Sequence, residues 1–122
     1  GRSAPLLPDV GPVVVLQRVC AVRRLLAQRI ERIGALCFLA DDIRSALRLI
    51  EADARAQTVM IDVATAGKEL GRWVAVLEAA RPGVRTIATG ASGRASDLLA
   101  LGVDRLLDKP WRIDELVDAL RG

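Results

Sequence analysis

The sequence predicts an α/β domain: five parallel strands in a doubly wound sheet of order 2-1-3-4-5, with helices on both faces. Three observations predict it. Short apolar runs alternate with longer amphipathic segments five times along the chain. The runs are apolar almost without a break, as strands are when helices cover both faces of their sheet. The amphipathic segments repeat one set of offsets, 0, 3, 4 and 7, which marks a single helix face. Alternation of this kind requires right-handed crossovers between parallel strands. Five such strands take the order 2-1-3-4-5, with a crevice between strands 1 and 3.

The elements follow in order. Residues 1–12, GRSAPLLPDVGP, carry three prolines and no periodicity, and read as a linker or tail ahead of a domain at 13–122. VVVL (13–16) is the first strand. VCAVRRLLAQRIERIG (19–34) is a helix, with Val22, Leu25, Leu26, Ile30 and Ile33 along its inner stripe and Gly34 as its stop. ALCFLA (35–40) is the second strand. The helix of DDIRSALRLIEADA buries Ile43, Ala46, Leu47 and Ile50, and Asp41 or Asp42 caps it. TVMID (58–62) is the third strand, and Leu70, Trp73, Val74 and Leu77 form the face of the third helix. VRTIAT (84–89) is the fourth strand, and ASDLLALG (95–102) a shorter helix ending on Gly102. RLLD (105–108) is the fifth strand. Ile113, Leu116, Val117 and Leu120 line the last helix.

Composition narrows the function classes. A chain of 122 residues, 52% hydrophobic, is long enough to bury a full core as one domain. No apolar run approaches the roughly 18 residues that span a membrane, and no secretory signal is visible. The first residue is not Met, so the chain is expected to be a piece of a longer or processed protein. A net charge of +3 is too small to argue for nucleic acid. Phe38, Trp73 and Trp111 are the only aromatics, so there is no stacking platform for bases. Without His, and with Cys20 and Cys37 alone, zinc and c-type haem sites are excluded. Both cysteines lie in apolar segments and are expected to be buried free thiols, which suits a cytoplasmic location.

In a doubly wound sheet the C-terminal strand ends face one crevice. Here they present Gln17 and Arg18 after strand 1, Asp62 on strand 3, Thr89 on strand 4 and Lys109 after strand 5. Pro110 cannot extend a strand and biases Lys109 toward extended backbone. Taken singly, Asp62 reads as a cap for the next segment and Thr89 as an ordinary strand residue. A carboxylate, a hydroxyl and an ammonium at matching strand ends instead suggest an anion or phosphoryl site.

Three stretches extend this pattern: VMID ending in Asp62, TIATG closing strand 4, and LGVDRLLDKPW, where Gly102 stands seven residues before the Lys-Pro pair. On them the chain resembles the receiver domain of two-component response regulators and hybrid histidine kinases, over residues 13–121. The resemblance implies a flavodoxin-like fold. It also implies that Asp62 accepts a phosphoryl group from a kinase histidine. Thr89 and Lys109 would then bind the phosphate oxygens and pull the surface of the fourth helix and fifth strand into an active state.

The departures from that family are specific. Receivers end strand 1 with two acidic residues that hold Mg²⁺; this chain has Gln17 and Arg18. Magnesium takes oxygen ligands, usually carboxylates. At ~5 Å and an effective dielectric of about 20, an arginine repels Mg²⁺ by on the order of 6 kcal/mol. Asp41 and Asp42 belong to the end of strand 2 and are no substitute. The family's Met-Pro pair is absent from DVATAGKELG, its aromatic switch position is Leu106, and its small residue after the hydroxyl is Gly90. The expectation is a degenerate receiver, or pseudo-receiver, with Mg²⁺ lost or weak. It would be a regulatory protein-interaction module and not itself an enzyme, whether or not its parent is a hybrid histidine kinase. With the metal gone, Arg18 or Lys109 is expected to pair with Asp62.

Two other functions compete. One is a working phospho-receiver that accepts phosphate on Asp62. The other is a sensor of cyclic dinucleotides on the face of the fourth helix, fifth strand and fifth helix. There Arg94, Arg105 and Arg112 offer guanidinium forks and Trp111 a stacking surface. Asp97, Asp104 and Asp114 nearby make a solvated surface the plainer reading. TGASG (89–93) reads as a flexible loop rather than a nucleotide loop, because it lacks the GxGxxG spacing. The first helix sets Arg18, Arg23, Arg24, Arg29 and Arg32 against Glu31 alone. In the family that helix commonly docks on the kinase helical bundle, so a kinase or another domain of the parent is the implied partner.

Overall fold

The computed structural model describes residues 10–91, 93–108 and 112–122. Its five strands are β1 (Val13–Leu16), β2 (Cys37–Ala40), β3 (Thr58–Asp62), β4 (Arg85–Thr89) and β5 (Arg105–Leu107). They form one parallel sheet in the order β2-β1-β3-β4-β5, as the alternation predicts. The helices are α1 (Cys20–Arg32), α2 (Ile43–Ala52), α3 (Val63–Ala66), α4 (Leu70–Ala80), α5 (Ala95–Ala100) and α6 (Ile113–Arg121). The four-residue α3, continued by a 3₁₀ turn over Gly67–Glu69, is an addition to the sequence reading. Among the described residues no helix is long and apolar enough to cross a membrane.

Strand alternation divides the core in two. Val14, Leu16, Val59, Ile61 and Ala88 point to one face, where Ala46 and Ile50 of α2, Leu70, Val74 and Leu77 of α4 and Leu98 of α5 close over them. Val13, Val15, Met60, Ile87 and Leu107 point to the other, under Leu26 and Ile30 of α1 and Leu116 and Leu120 of α6. This is why the strands read as unbroken apolar runs. Helix ends are closed by side chains. Asp42 Oδ1 accepts from the Ser45 amide at 2.8 Å and caps α2. The Arg81 guanidinium donates to the Ile50 carbonyl in the last turn of α2 and to those of Ala54 and Ala56 beyond it, and that of Arg85 to Ala119 and Leu120 of α6, so that both helix C-termini find donors for open carbonyls. Gly34 sits at φ +97 just past α1, as its role of stop requires.

Three sequence expectations need correction. Leu25, placed on the inner stripe of α1, is 52% exposed. A helix turns about 100° per residue, so with Leu26, Ile30 and Ile33 against the sheet, Leu25 swings outward. Ile113 likewise is an exposed residue at the open first turn of α6. Cys20 is exposed rather than buried, because it is the first residue of α1 and stands six positions before Leu26, well off the inner face.

Cys37 is only partly buried, which still shields its thiol. Burial, with the Glu31 charge adding to it, pushes its pKa from near 9 up to about 12. The unfolded chain therefore loses this proton first. The stabilisation is complete below about pH 9 and is lost as pH rises toward 12. Alkylation at pH 8 followed by mass spectrometry should mark Cys20 rapidly and leave Cys37 protected until denaturant is added. Equal labelling rates in the folded protein would contradict this burial.

Candidate functional site

The strand order reverses direction between β1 and β3, and the residues at their C-terminal ends meet there. Asp62 is the last residue of β3 and lies in register with Thr89, the last of β4, which is buried. The register thus sets the two residues opposite each other at the C-terminal edge of the sheet. Lys109 and Trp111 lie outside the described residues.

Asp62 also starts α3. Its backbone is extended, and its Oδ2 accepts from both the amide and the hydroxyl of Thr65, each at 2.9 Å. This is a helix cap in which the side chain satisfies an amide that the first turn leaves free. The other carboxylate oxygen faces Gly90, where an added Cβ would stand 3.6 Å from it. Gly90 has φ +76, a conformation that suits glycine, and it leaves this flank of Asp62 open.

Gln17 and Arg18 come from the end of β1. The Gln17 amide extends the β1–β2 ladder to the Ala40 carbonyl at 3.0 Å, which keeps the side chain in the crevice, 3% exposed. Its Oε1 accepts from the Val19 amide at 3.0 Å and lies 3.2 Å from the Thr65 hydroxyl. The Arg18 amide donates to the Thr65 hydroxyl at 3.0 Å. Of the two cations expected to pair with Asp62, Arg18 turns elsewhere, its guanidinium donating to the Thr65 carbonyl at 3.1 Å, and Lys109 lies outside the described residues. One carboxylate oxygen of Asp62, Oδ2, is already held by Thr65. Arg23, one turn into α1, donates to the Gln17 carbonyl at 2.9 Å.

Thr65 is the residue that sequence reasoning missed. The one available signal is the spacing Asp-x-x-Thr, with a carboxylate at the cap and a hydroxyl three residues on. A hydroxyl carries a single proton. The charged Asp62 acceptor, at the shorter distance, takes it in preference to Gln17. Among the described residues, the polar groups at the crevice are therefore one carboxylate, one amide oxygen already accepting a bond, two hydroxyls and an arginine. Among the described residues no three His, Cys, Asp or Glu side chains gather where they could hold a metal.

The second candidate face is more dispersed. Arg94 is exposed at the start of α5. Arg105 pairs with Asp118, and Arg112 with Asp114 at 3.4 Å. Asp104, expected beside these arginines, turns instead to the Thr86 amide at 2.8 Å.

No family profile and no curated protein matches the chain. Solved structures do. The Rec1 domain of ShkA, solved in complex with c-di-GMP, is 30% identical over 98% of this chain and 95% of its own, with a TM-score of 0.69. A response regulator from Thermotoga maritima is 16% identical over 92% of this chain and 95% of its own, with a TM-score of 0.78. The receiver domain of a Pseudomonas aeruginosa sensor histidine kinase, with magnesium coordinated in its active-site cleft, is 20% identical over 90% and 93%, with a TM-score of 0.75.

Proposed function

The chain belongs to the receiver-domain family of two-component signalling, and from that premise we propose that it is a degenerate receiver, a regulatory domain that binds partner proteins without Mg²⁺-dependent phosphorylation of Asp62. The end of β1 carries this reading. Magnesium demands near-ideal octahedral oxygen ligands and gives up water reluctantly. The residues here do not fit that demand. The Gln17 oxygen is committed to the Val19 amide, Arg18 brings positive charge, and one Asp62 oxygen is held by Thr65. The expected partners are a histidine kinase or another domain of a longer parent. The arginines of α1 suit an acidic surface on either.

A second reading, recognition of a cyclic dinucleotide, is favoured by the c-di-GMP bound to the 30%-identical relative. Arg94, Arg105, Arg112 and Trp111 are its candidate contacts. Against it stand Asp118 and Asp114, which a phosphate would have to displace from Arg105 and Arg112.

One NMR titration separates these readings. With Mg²⁺ and beryllofluoride, an acyl-phosphate mimic, at millimolar concentration, the amides of Asp62 and Thr89 are expected to stay in place. Shifts there that spread into α5 and β5 would establish a working phospho-receiver and end the degenerate reading. With c-di-GMP instead, shifts confined to Arg94, Arg105 and Arg112 would establish the second reading.

A further inference from the structure

We infer that Thr65 is the positioning residue that joins the end of β1 to Asp62, where the family uses a metal ion, and that it holds Asp62 as a helix cap coupled to α1. The inference rests on the degenerate-receiver reading and deepens it. Every polar group of Thr65 is engaged. Its amide and hydroxyl meet Asp62 Oδ2, its hydroxyl oxygen receives the Arg18 amide, and its carbonyl receives the Arg18 guanidinium. The residue is 5% exposed, so the Thr65 side of these part-buried bonds is shielded from water. A β-branched side chain has few rotamers, which holds the hydroxyl in one place.

The network does not end at the crevice. Gln17 Oε1, beside the Thr65 hydroxyl, also holds the Val19 amide at the entry to α1, and Arg23 in the first turn holds the Gln17 carbonyl. A continuous path therefore runs from α1 through the Gln17–Arg18 peptide, whose carbonyl receives Arg23 and whose amide donates to Thr65, to Asp62. A partner that engages Arg18 or Arg23 shifts the first members of this path and, through Thr65, the carboxylate. Occupancy of α1 then sets the state of the crevice, with no phosphoryl group involved.

The test uses the whole chain and two readouts: exchange of the Arg18 amide, and the ¹³C resonance of the Asp62 carboxyl carbon. Thr65→Val keeps the shape and loses the hydroxyl; Thr65→Ser keeps the hydroxyl. Thr65→Val is expected to speed Arg18 amide exchange about tenfold or more and to move the Asp62 resonance, while Thr65→Ser leaves both as in the native chain. Arg23→Ala is expected to move the Asp62 resonance in the native chain but not in Thr65→Val. Smaller acceleration in Thr65→Val, or an Arg23→Ala effect that survives there, would overturn the inference. Should Thr65→Val not fold, Thr65→Ala removes the same hydroxyl, and Arg23→Ala must then leave the Asp62 resonance still. Failure of the degenerate reading shows separately, as beryllofluoride shifts in the unsubstituted chain.

Discussion

Two carboxylates returned to the end of β1, by Gln17→Asp together with Arg18→Asp, are expected to tighten Mg²⁺ binding a hundredfold or more. The arginine alone opposes the ion by on the order of 6 kcal/mol at ~5 Å. Arg18 is exposed, and its charge is screened accordingly. A third of that repulsion, about 2 kcal/mol, still makes a factor of about thirty, and two new oxygen ligands add to it. The substitutions also place like charges beside Asp62, so the metal-free variant should melt below the native chain and recover as Mg²⁺ is added. Calorimetric titration and a melting series with and without Mg²⁺ read both effects. Unchanged affinity would mean that the loss of the acidic pair is not what closes the site. The Thr65 bonds on Asp62 would then be the barrier.

The strands and long helices are legible in the sequence because burial on two faces leaves a coarse mark. Val13–Leu16 and Thr58–Asp62 are runs that only a covered strand tolerates, and Ala46, Ile50, Leu70, Val74 and Leu77 keep helical spacing over whole turns. Helix α3 is not legible, because four residues cannot display a 3.6-residue period and VATA contains no polar face. Leu25 and Ile113 mislead for a related reason. An apolar residue one step off the stripe, or at an open helix end, costs little in water and carries no mark of its exposure.

The crevice is legible where the sheet determines it and illegible where side chains choose. Asp62 and Thr89 meet because parallel register brings the ends of β3 and β4 together. Charge alone points to Arg18 or Lys109 on Asp62, and Arg18 goes elsewhere. Its long side chain reaches a backbone carbonyl as well, and the cap at Thr65 takes the carboxylate first. Thr65 itself carries no charge and sits in an apolar stretch, so its importance depends on contacts 47 and 48 residues away in the chain.

Those contacts need a rigid floor, and Ile61 supplies it. It is fully buried on the central strand, in register with Leu16 on one side and Ala88 on the other, one residue before Asp62. Ile61→Ala is expected to cost about 3–4 kcal/mol, the sum of lost transfer energy and an unfilled cavity, and Ile61→Val about 1 kcal/mol. In a domain of this size the larger loss lowers the melting temperature by roughly 10–15 °C. Urea denaturation should show the midpoint falling with an unchanged slope. The cavity cannot readily close, because strands β1 and β4 fix the backbone on both sides of β3. A loss below about 1.5 kcal/mol would mean that the sheet does collapse toward the gap. Asp62 would then ride on a yielding strand, and the Thr65 bonds, rather than the core beneath them, would be what fixes its position.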